Sequence, residues 1–119
     1  MLDEAEEEGQ SESALESDDP LRLRCSTCRH PITDDRARFA VHGEHRHVCV
    51  NPSGIPYDIA CFREAPGLRV FGPRTEAFTW FEGWAWQMGE CAECGAHLGW
   101  WFTRGEASFT GLIARRLVD

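Results

Sequence analysis

Two cysteine pairs with identical spacing constrain this chain more than any other feature of its sequence. They are CSTC at 25–28 and CAEC at 91–94, and 62 residues lie between them. One turn with two nearby thiolates can chelate an ion, and two such turns complete the closed tetrahedral shell of a structural zinc. The long separation implies that the metal joins distant hairpins and contributes much of the stability of a small domain. We therefore predict one structural Zn²⁺, with the ligands Cys25, Cys28, Cys91 and Cys94.

A disulfide framework is the alternative use of these cysteines. The N-terminus is acidic, whereas a secretion signal needs a basic flank followed by an apolar run. Disulfides are rare in the reducing cytosol, and a redox CxxC would explain one pair but not both. We therefore expect a cytoplasmic protein with free thiols.

Two cysteines, Cys49 and Cys61, lie outside the pairs, and burial as small apolar side chains is their simplest role. His45, His47 and Cys49 fall on one face of a predicted strand. They could bind a second metal or activate a thiolate. An exposed strand face with ordinary histidines is the simpler interpretation.

The net charge of −8 comes from the first 20 residues, which contain nine acidic and no basic side chains. Their low hydrophobicity and like charges predict a disordered tail over 1–20, followed by a single domain over 21–119. The other 99 residues hold 11 acidic residues and 12 arginines, so no basic surface for nucleic acid is expected. No run approaches the ~18 apolar residues of a membrane span, and we expect no membrane partner.

Short apolar runs separated by Gly and Pro predict an all-β domain. A hairpin turn is expected at 43–44, and NPSG at 51–54 is a strong turn signal. Only 109–118 has a pattern compatible with a helix. The predicted strands are ARFAVH (37–42), HRHVCV (45–50), IPYDIACF (55–62), LRVF (68–71) and HLGWWF (97–102).

The segment FTWFEGWAW at 78–86 concentrates aromatic side chains in nine residues. Gly83 allows the chain to turn, so that Trp80 and Trp86 can face one space, and Trp100 follows the second cysteine turn. These three indoles could form an open box for a flat ring, or they could pack as a hydrophobic core. The residues alone leave both interpretations open. We expect the remaining two, Trp84 and Trp101, to be packing residues.

The motifs CSTC, VNPSG, FTWFEGWAW, CAECGAHLGWWF and FTGLI together resemble the CULT domain family, the thalidomide-binding domains of the cereblon type. The resemblance covers about residues 24–118 and is strongest to single-domain bacterial members. It implies a β-tent, in which two antiparallel sheets set roughly at right angles are pinned by zinc on the four paired cysteines. It also implies binding of cyclic imides: glutarimide, succinimide, hydantoin-like and uracil-like rings, thalidomide-type drugs, or a polypeptide end with a cyclised residue.

The resemblance assigns site residues as well. It implies a cage of three tryptophans on an aromatic floor, a loop that closes over the far part of the ligand, and a backbone contact to the imide. An imide ring offers apolar edges to indole faces and a C=O, N–H, C=O edge to the backbone, and ring opening would lose those bonds or bury a charge. The implied residues are Trp80, Trp86 and Trp100 for the cage, Phe102 for the floor, Asn51 and Pro52 for the loop, and Phe78 for the backbone contact.

Two other functions compete with that of a non-catalytic imide-binding module. AHLGW and CVNPSG faintly resemble zinc-bearing methionine sulfoxide reductases, with Cys49 as nucleophile, although Cys49 precedes the second cysteine pair and the reductase nucleophile follows both. An aromatic cage also suits methylated ammonium groups if Glu82 points inward. We expect no ubiquitin-ligase partner, because the ligase-binding segments of eukaryotic cereblon have no counterpart in this sequence.

Overall fold

The computed structural model describes residue 15 and residues 19–119. The predicted disordered tail over 1–20 therefore lies, apart from residues 15, 19 and 20, outside the described residues. Among the described residues, no helix has the length and apolar character needed to cross a bilayer.

The regular secondary structure of the described residues is almost entirely short β-strands, with two 3-10 turns. The strands are β1 Leu23–Cys25, β2 Pro31–Thr33, β3 Arg46–Val50, β4 Pro56–Phe62, β5 Leu68–Thr75, β6 Ala85–Cys91, β7 His97–Arg104, β8 Ala107–Ile113 and β9 Leu117–Val118.

These strands form two antiparallel sheets, which confirms the predicted all-β class. The larger has the order β3-β4-β8-β7-β6-β5, and the smaller has the order β9-β1-β2. One core cluster packs around Phe81, Phe102 and Phe109, and a second surrounds Cys25 and Cys91. The second cluster lies where the small sheet meets the large one, so the cysteine turns and the sheet contact stabilise the same region.

Most predicted strands are confirmed with small changes in length, but the strand expected at 37–42 is wrong. Asp35–Ala37 forms a 3-10 turn, which begins at Asp34 because its Oδ1 accepts a hydrogen bond from the Arg36 amide at 3.0 Å. Local capping by this buried carboxylate competes with strand formation. The hairpin turn expected at 43–44 lies one residue earlier, at His42 and Gly43, which both have positive φ.

The helical pattern at 109–118 is also overridden. Strand β8 pairs with β4 on one side and β7 on the other, so its backbone groups are satisfied by the sheet. Only Ala114–Arg116 forms a 3-10 turn after the strand ends. The turn at 51–54 is confirmed, since the Gly54 amide donates to the Asn51 carbonyl at 2.8 Å.

Candidate functional site

The two cysteine turns have the same backbone hydrogen bonds. The Arg29 amide donates to the Cys25 carbonyl at 2.8 Å, and the Gly95 amide donates to the Cys91 carbonyl at 2.9 Å. Each turn begins at the end of a strand: Cys25 closes β1 in the small sheet, and Cys91 closes β6 in the large sheet. The sequence repeat CxxC is therefore a repeat of local structure.

The four cysteine sulfur atoms converge, as the spacing predicts. All lie within 4.8 Å of one another. The Cys25 and Cys94 sulfurs are 3.8 Å apart, and those of Cys28 and Cys91 are 3.6 Å apart. Such a group of thiols can hold a metal ion, and it would tie the small sheet to the β6–β7 hairpin. In the described part of the chain, His45, His47 and Cys49 form no second cluster of this kind.

The aromatic loop between β5 and β6 is shaped by a glycine and a buried phenylalanine. Gly83 has φ of +90°, which favours glycine, and the Trp84 amide after it donates to the Phe81 carbonyl at 2.9 Å. Phe81 packs edge-on against both Phe102 and Phe109, with ring centroids 5.1 and 5.4 Å away. The loop is thus anchored in the core.

Cross-strand pairing of β6 and β7 brings four large side chains together. Trp86 pairs with Phe102 and Met88 pairs with Trp100, so all four side chains share one face of the sheet. Trp80 reaches the same place from the loop, and its ring lies 4.7 Å from that of Trp100 at an angle of 78°. The three indoles expected to meet are brought together.

A cavity of about 400 Å³ opens among these rings. All seven ligand-site residues expected from the sequence line it, together with three that were missed. The lining residues are Asn51, Pro52, Phe78, Trp80, Trp86, Trp100 and Phe102, and the additional residues are Tyr57, Met88 and His97. Strand alternation from Trp86 could have indicated Met88, whereas Tyr57 and His97 depend on how distant strands pack.

The two tryptophans predicted to pack elsewhere do lie outside the cavity. Trp84 is buried against Phe109, with ring centroids 4.9 Å apart, and the Arg104 guanidinium lies 4.5 Å from its ring centre. Trp101 is half-buried and alternates to the opposite face of β7 from Trp100.

The indole N–H groups of Trp80 and Trp86 are already used by the protein. The Trp80 Nε1 donates to the Val50 carbonyl at 2.9 Å, and the Trp86 Nε1 donates to the Ala77 carbonyl at 2.8 Å. These bonds fix the ring orientations, so both indoles offer their apolar faces rather than a polar edge. Two backbone amides and one backbone carbonyl of this loop are unpaired. Among the described residues, the Phe78 and Trp80 amides and the Phe78 carbonyl form no backbone–backbone hydrogen bond.

Phe78 itself has an unusual backbone. Its φ is +58°, a conformation that few residues other than glycine adopt, and its side chain is 75% exposed. This strained conformation is therefore not compensated by burial of the Phe78 side chain, although Phe78 lines the cavity. Such outliers are common at ligand sites.

Among the residues that the structure describes, no Asp, Glu or Arg lines the cavity. His97 contacts Trp100 edge-on with ring centroids 4.9 Å apart, and burial lowers the pKa of His97, which favours the neutral ring. Glu82, which a cage for methylated ammonium groups would need to point inward, is exposed and lies outside the lining. The cavity wall is therefore uncharged.

Cys49 and Cys61, the two cysteines outside the pairs, are both buried. Burial raises the pKa of Cys49 to about 11, and burial together with neighbouring Cys49 raises the pKa of Cys61 to about 12. A thiol is nucleophilic as the thiolate, so neither cysteine is activated at neutral pH. Cys49 also does not line the cavity.

Part of this chain is similar in sequence to cereblon from several vertebrates. The chain is 37% identical over 54 residues to "Protein cereblon" of Xenopus tropicalis and of Gallus gallus, and 33% identical over 54 residues to that of Danio rerio. No family model matches the chain. The matched segment covers 45% of this chain but only 12% of each relative. These matches support a cereblon-type domain.

Proposed function

We propose that this cereblon-type domain is a non-catalytic binding module that captures small cyclic imides between Trp80, Trp86 and Trp100. The observation that carries the proposal is the uncharged cavity of about 400 Å³ walled by these rings. Its volume is within the ~300–1,000 Å³ that is typical of small-molecule sites. The ligand class comprises glutarimide, succinimide, related uracil-like rings, thalidomide-type drugs, and polypeptide ends that carry a cyclised residue.

The chemistry of the wall favours an intact imide. The flat ring places its CH₂ edge against indole faces, while its C=O, N–H, C=O edge meets the unpaired backbone groups of Phe78 and Trp80. Ring opening by hydrolysis creates a carboxylate, and within the described part of the chain no Arg lines the cavity to pair with it. Burying an unpaired charge is costly, so the opened ligand is rejected.

The metal held by the four cysteines is, in this proposal, Zn²⁺. With Zn–S bonds of ~2.3 Å, tetrahedral geometry requires sulfur atoms about 3.8 Å apart. Two of the six separations, 3.8 and 3.6 Å, match that distance, and all six are within 4.8 Å. Four protein ligands leave no open position, so the ion is structural. All six cysteines are free of disulfides, which suits a reducing compartment such as the cytoplasm.

Calorimetric titration with glutarimide tests the proposal. Wild type should bind one ring per chain, and Trp86→Ala should bind at least about tenfold more weakly, because one wall of the cage is removed. Trp101→Phe is the matched control, since Trp101 lies on the opposite face of β7. Unchanged affinity in folded Trp86→Ala, or tighter binding of a trimethyl-lysine peptide, would contradict it.

A further inference from the structure

Strand β3 is an unprotected edge of the large sheet. It pairs with β4 on one side, and all five of its residues follow one register without a bulge. Its exposed side chains are Arg46, Val48 and Val50, and Val48 is 74% exposed. Proteins usually blunt an edge with proline, a bulge or lysine. The opposite edge, β5, is blunted in this way, because Gly72 and Pro73 lie where its ladder with β6 is interrupted.

The backbone of β3 directs every second residue's hydrogen-bonding groups away from β4. At one end of the hairpin the Cys61 amide donates to the His45 carbonyl at 2.9 Å, and at the other end the Asn51 amide donates to the Ile55 carbonyl at 2.9 Å. Hydrogen-bonded pairs alternate along an antiparallel ladder, so the odd-numbered residues of β3 bond to β4. The even-numbered residues therefore direct their N–H and C=O groups outward.

Two of the outward-facing residues have both backbone groups free. The Val50 carbonyl already accepts a hydrogen bond from Trp80 Nε1 at 2.9 Å. Within the described part of the chain, the N–H and C=O groups of Arg46 and Val48 have no partner on this side. The edge therefore offers donors and acceptors in alternation, which is a template for another antiparallel strand.

A second copy of the same edge supplies the matching groups. When two β3 strands pair antiparallel about a two-fold axis at His47, Arg46 of each copy lies opposite the partner subunit's Val48. Both contacts are hydrogen-bonded pairs, so every free N–H and C=O of Arg46 and Val48 gains a partner. The contact is self-complementary, as a two-fold interface requires, and it leaves out Val50, whose carbonyl is occupied.

The exposed side chains are also complementary in this register. Arg46 is held by Asp58 of its own chain, with Nε and Oδ1 3.1 Å apart. Asp58 is the ladder partner of Val48, so Asp58 and the partner subunit's Arg46 lie on either side of Val48 in one row. Opposite charges thus approach each other across an apolar side chain, and on this face no two like charges are directly opposite.

We infer that β3 is the interface of a homodimer, in which two large sheets join about a two-fold axis at His47 into one continuous sheet. A contact made by a five-residue strand is smaller than the ~1,200–2,000 Å² interfaces of stable complexes, so association is weak and depends on concentration. Arg46, His47 and Val48 do not line the tryptophan cavity, so the dimer does not rest on the proposed imide-binding function.

Sedimentation velocity of the zinc-loaded full chain, from about 10 μM to about 1 mM, measures the assembly. We expect the mass to rise towards that of a dimer over this range. Val48→Lys places a cation opposite the partner subunit's Arg46 and should weaken the dimer at least about tenfold. Phe71→Lys is the matched control on the other edge strand, where Phe71 is 42% exposed, and it should leave the dimer unchanged. Zinc content and circular dichroism verify the fold of each variant.

His47→Cys tests the register. Directly opposite residues of a non-hydrogen-bonded pair have Cα atoms about 4.5 Å apart, which a disulfide can span. Oxidation should therefore crosslink His47→Cys into covalent dimers, whereas Val48→Cys should crosslink far less. A wild type that stays monomeric at the highest concentration would overturn the inference. So would a folded Val48→Lys that dimerises like wild type, loss of the dimer in Phe71→Lys, or preferential crosslinking of Val48→Cys.

Discussion

Arg29 and Gly95 occupy equivalent positions in the two cysteine turns. Their φ angles are +70° and +80°, and each amide donates to the carbonyl of the first cysteine of its own turn. Glycine adopts this left-handed conformation without strain, whereas a residue with a Cβ adopts it at a cost of about 1–2 kcal/mol. One turn is therefore built from the favoured residue and the other from a strained one.

This relationship predicts opposite effects of two substitutions on the free energy of unfolding. Gly95→Ala should lose about 1 kcal/mol, although a Cβ there would meet no atom within 4 Å, because only the backbone conformation is penalised. Arg29→Gly should gain up to about 1 kcal/mol, after allowing for the greater entropy of unfolded glycine. Urea denaturation of zinc-loaded protein measures both, and a stabilised Gly95→Ala would contradict the equivalence.

Metal removal should abolish cooperative unfolding. The cysteine cluster joins the small sheet to the β6–β7 hairpin, so a chelator removes the link between them as well as the binding free energy of the ion. We expect one Zn²⁺ per chain by elemental analysis, and refolding when zinc is restored. Cys94→Ser should lose the metal although Cys94 is exposed. Cys49→Ala is the control and should keep one ion, and its loss of zinc would show that the ligands are misassigned.

The hydrogen bond from Trp80 to Val50 should contribute to ligand affinity. It fixes the Trp80 indole to the end of edge strand β3, at 2.9 Å. Trp80→Phe keeps an aromatic face but loses this bond, and glutarimide should bind about tenfold more weakly. Calorimetry with circular dichroism as a folding check measures the effect. Equal affinity would mean that the indole orientation is irrelevant.

Acid should destabilise the protein through His97. Burial lowers the pKa of His97 below its usual 6.5, so above pH 6.5 both folded and unfolded states are neutral and no stability is lost. As the pH falls below 6.5, the unfolded chain binds the proton more readily, and the free energy of unfolding falls by at most about 1.4 kcal/mol per pH unit.

The comparison is between wild type and His97→Gln at pH 7.5 and 5.5, with zinc saturating in both. The effects of the metal and of His45 are common to the two proteins, so the extra loss in wild type reports His97. An identical pH dependence in the two proteins would show that His97 titrates normally in the folded state.

The sequence predicts the structure best where a residue type has strict geometric requirements, such as cysteines spaced as metal ligands or clustered tryptophans. The cysteine pairs and Trp80, Trp86 and Trp100 meet as expected, because ligand spacing and bulky aromatics constrain the fold strongly. Tyr57 could not be found in this way, since its place in the cavity depends on the pairing of β3 with β4 and on the packing of that hairpin against Trp100. The helix-compatible pattern at 109–118 is a wrong prediction, because β8 pairs with a strand on each side and this pairing overrides the local pattern.

The central claim is that the tryptophan cavity recognises an intact imide ring. Tryptophan fluorescence of zinc-loaded wild type, titrated with thalidomide and with its ring-opened hydrolysis product, tests it most directly. We predict a saturable change in emission with the intact ring and none with the opened form, because the opened form would bury an unpaired carboxylate. Equal responses to both ligands, or no response to either from a folded protein, would contradict the account.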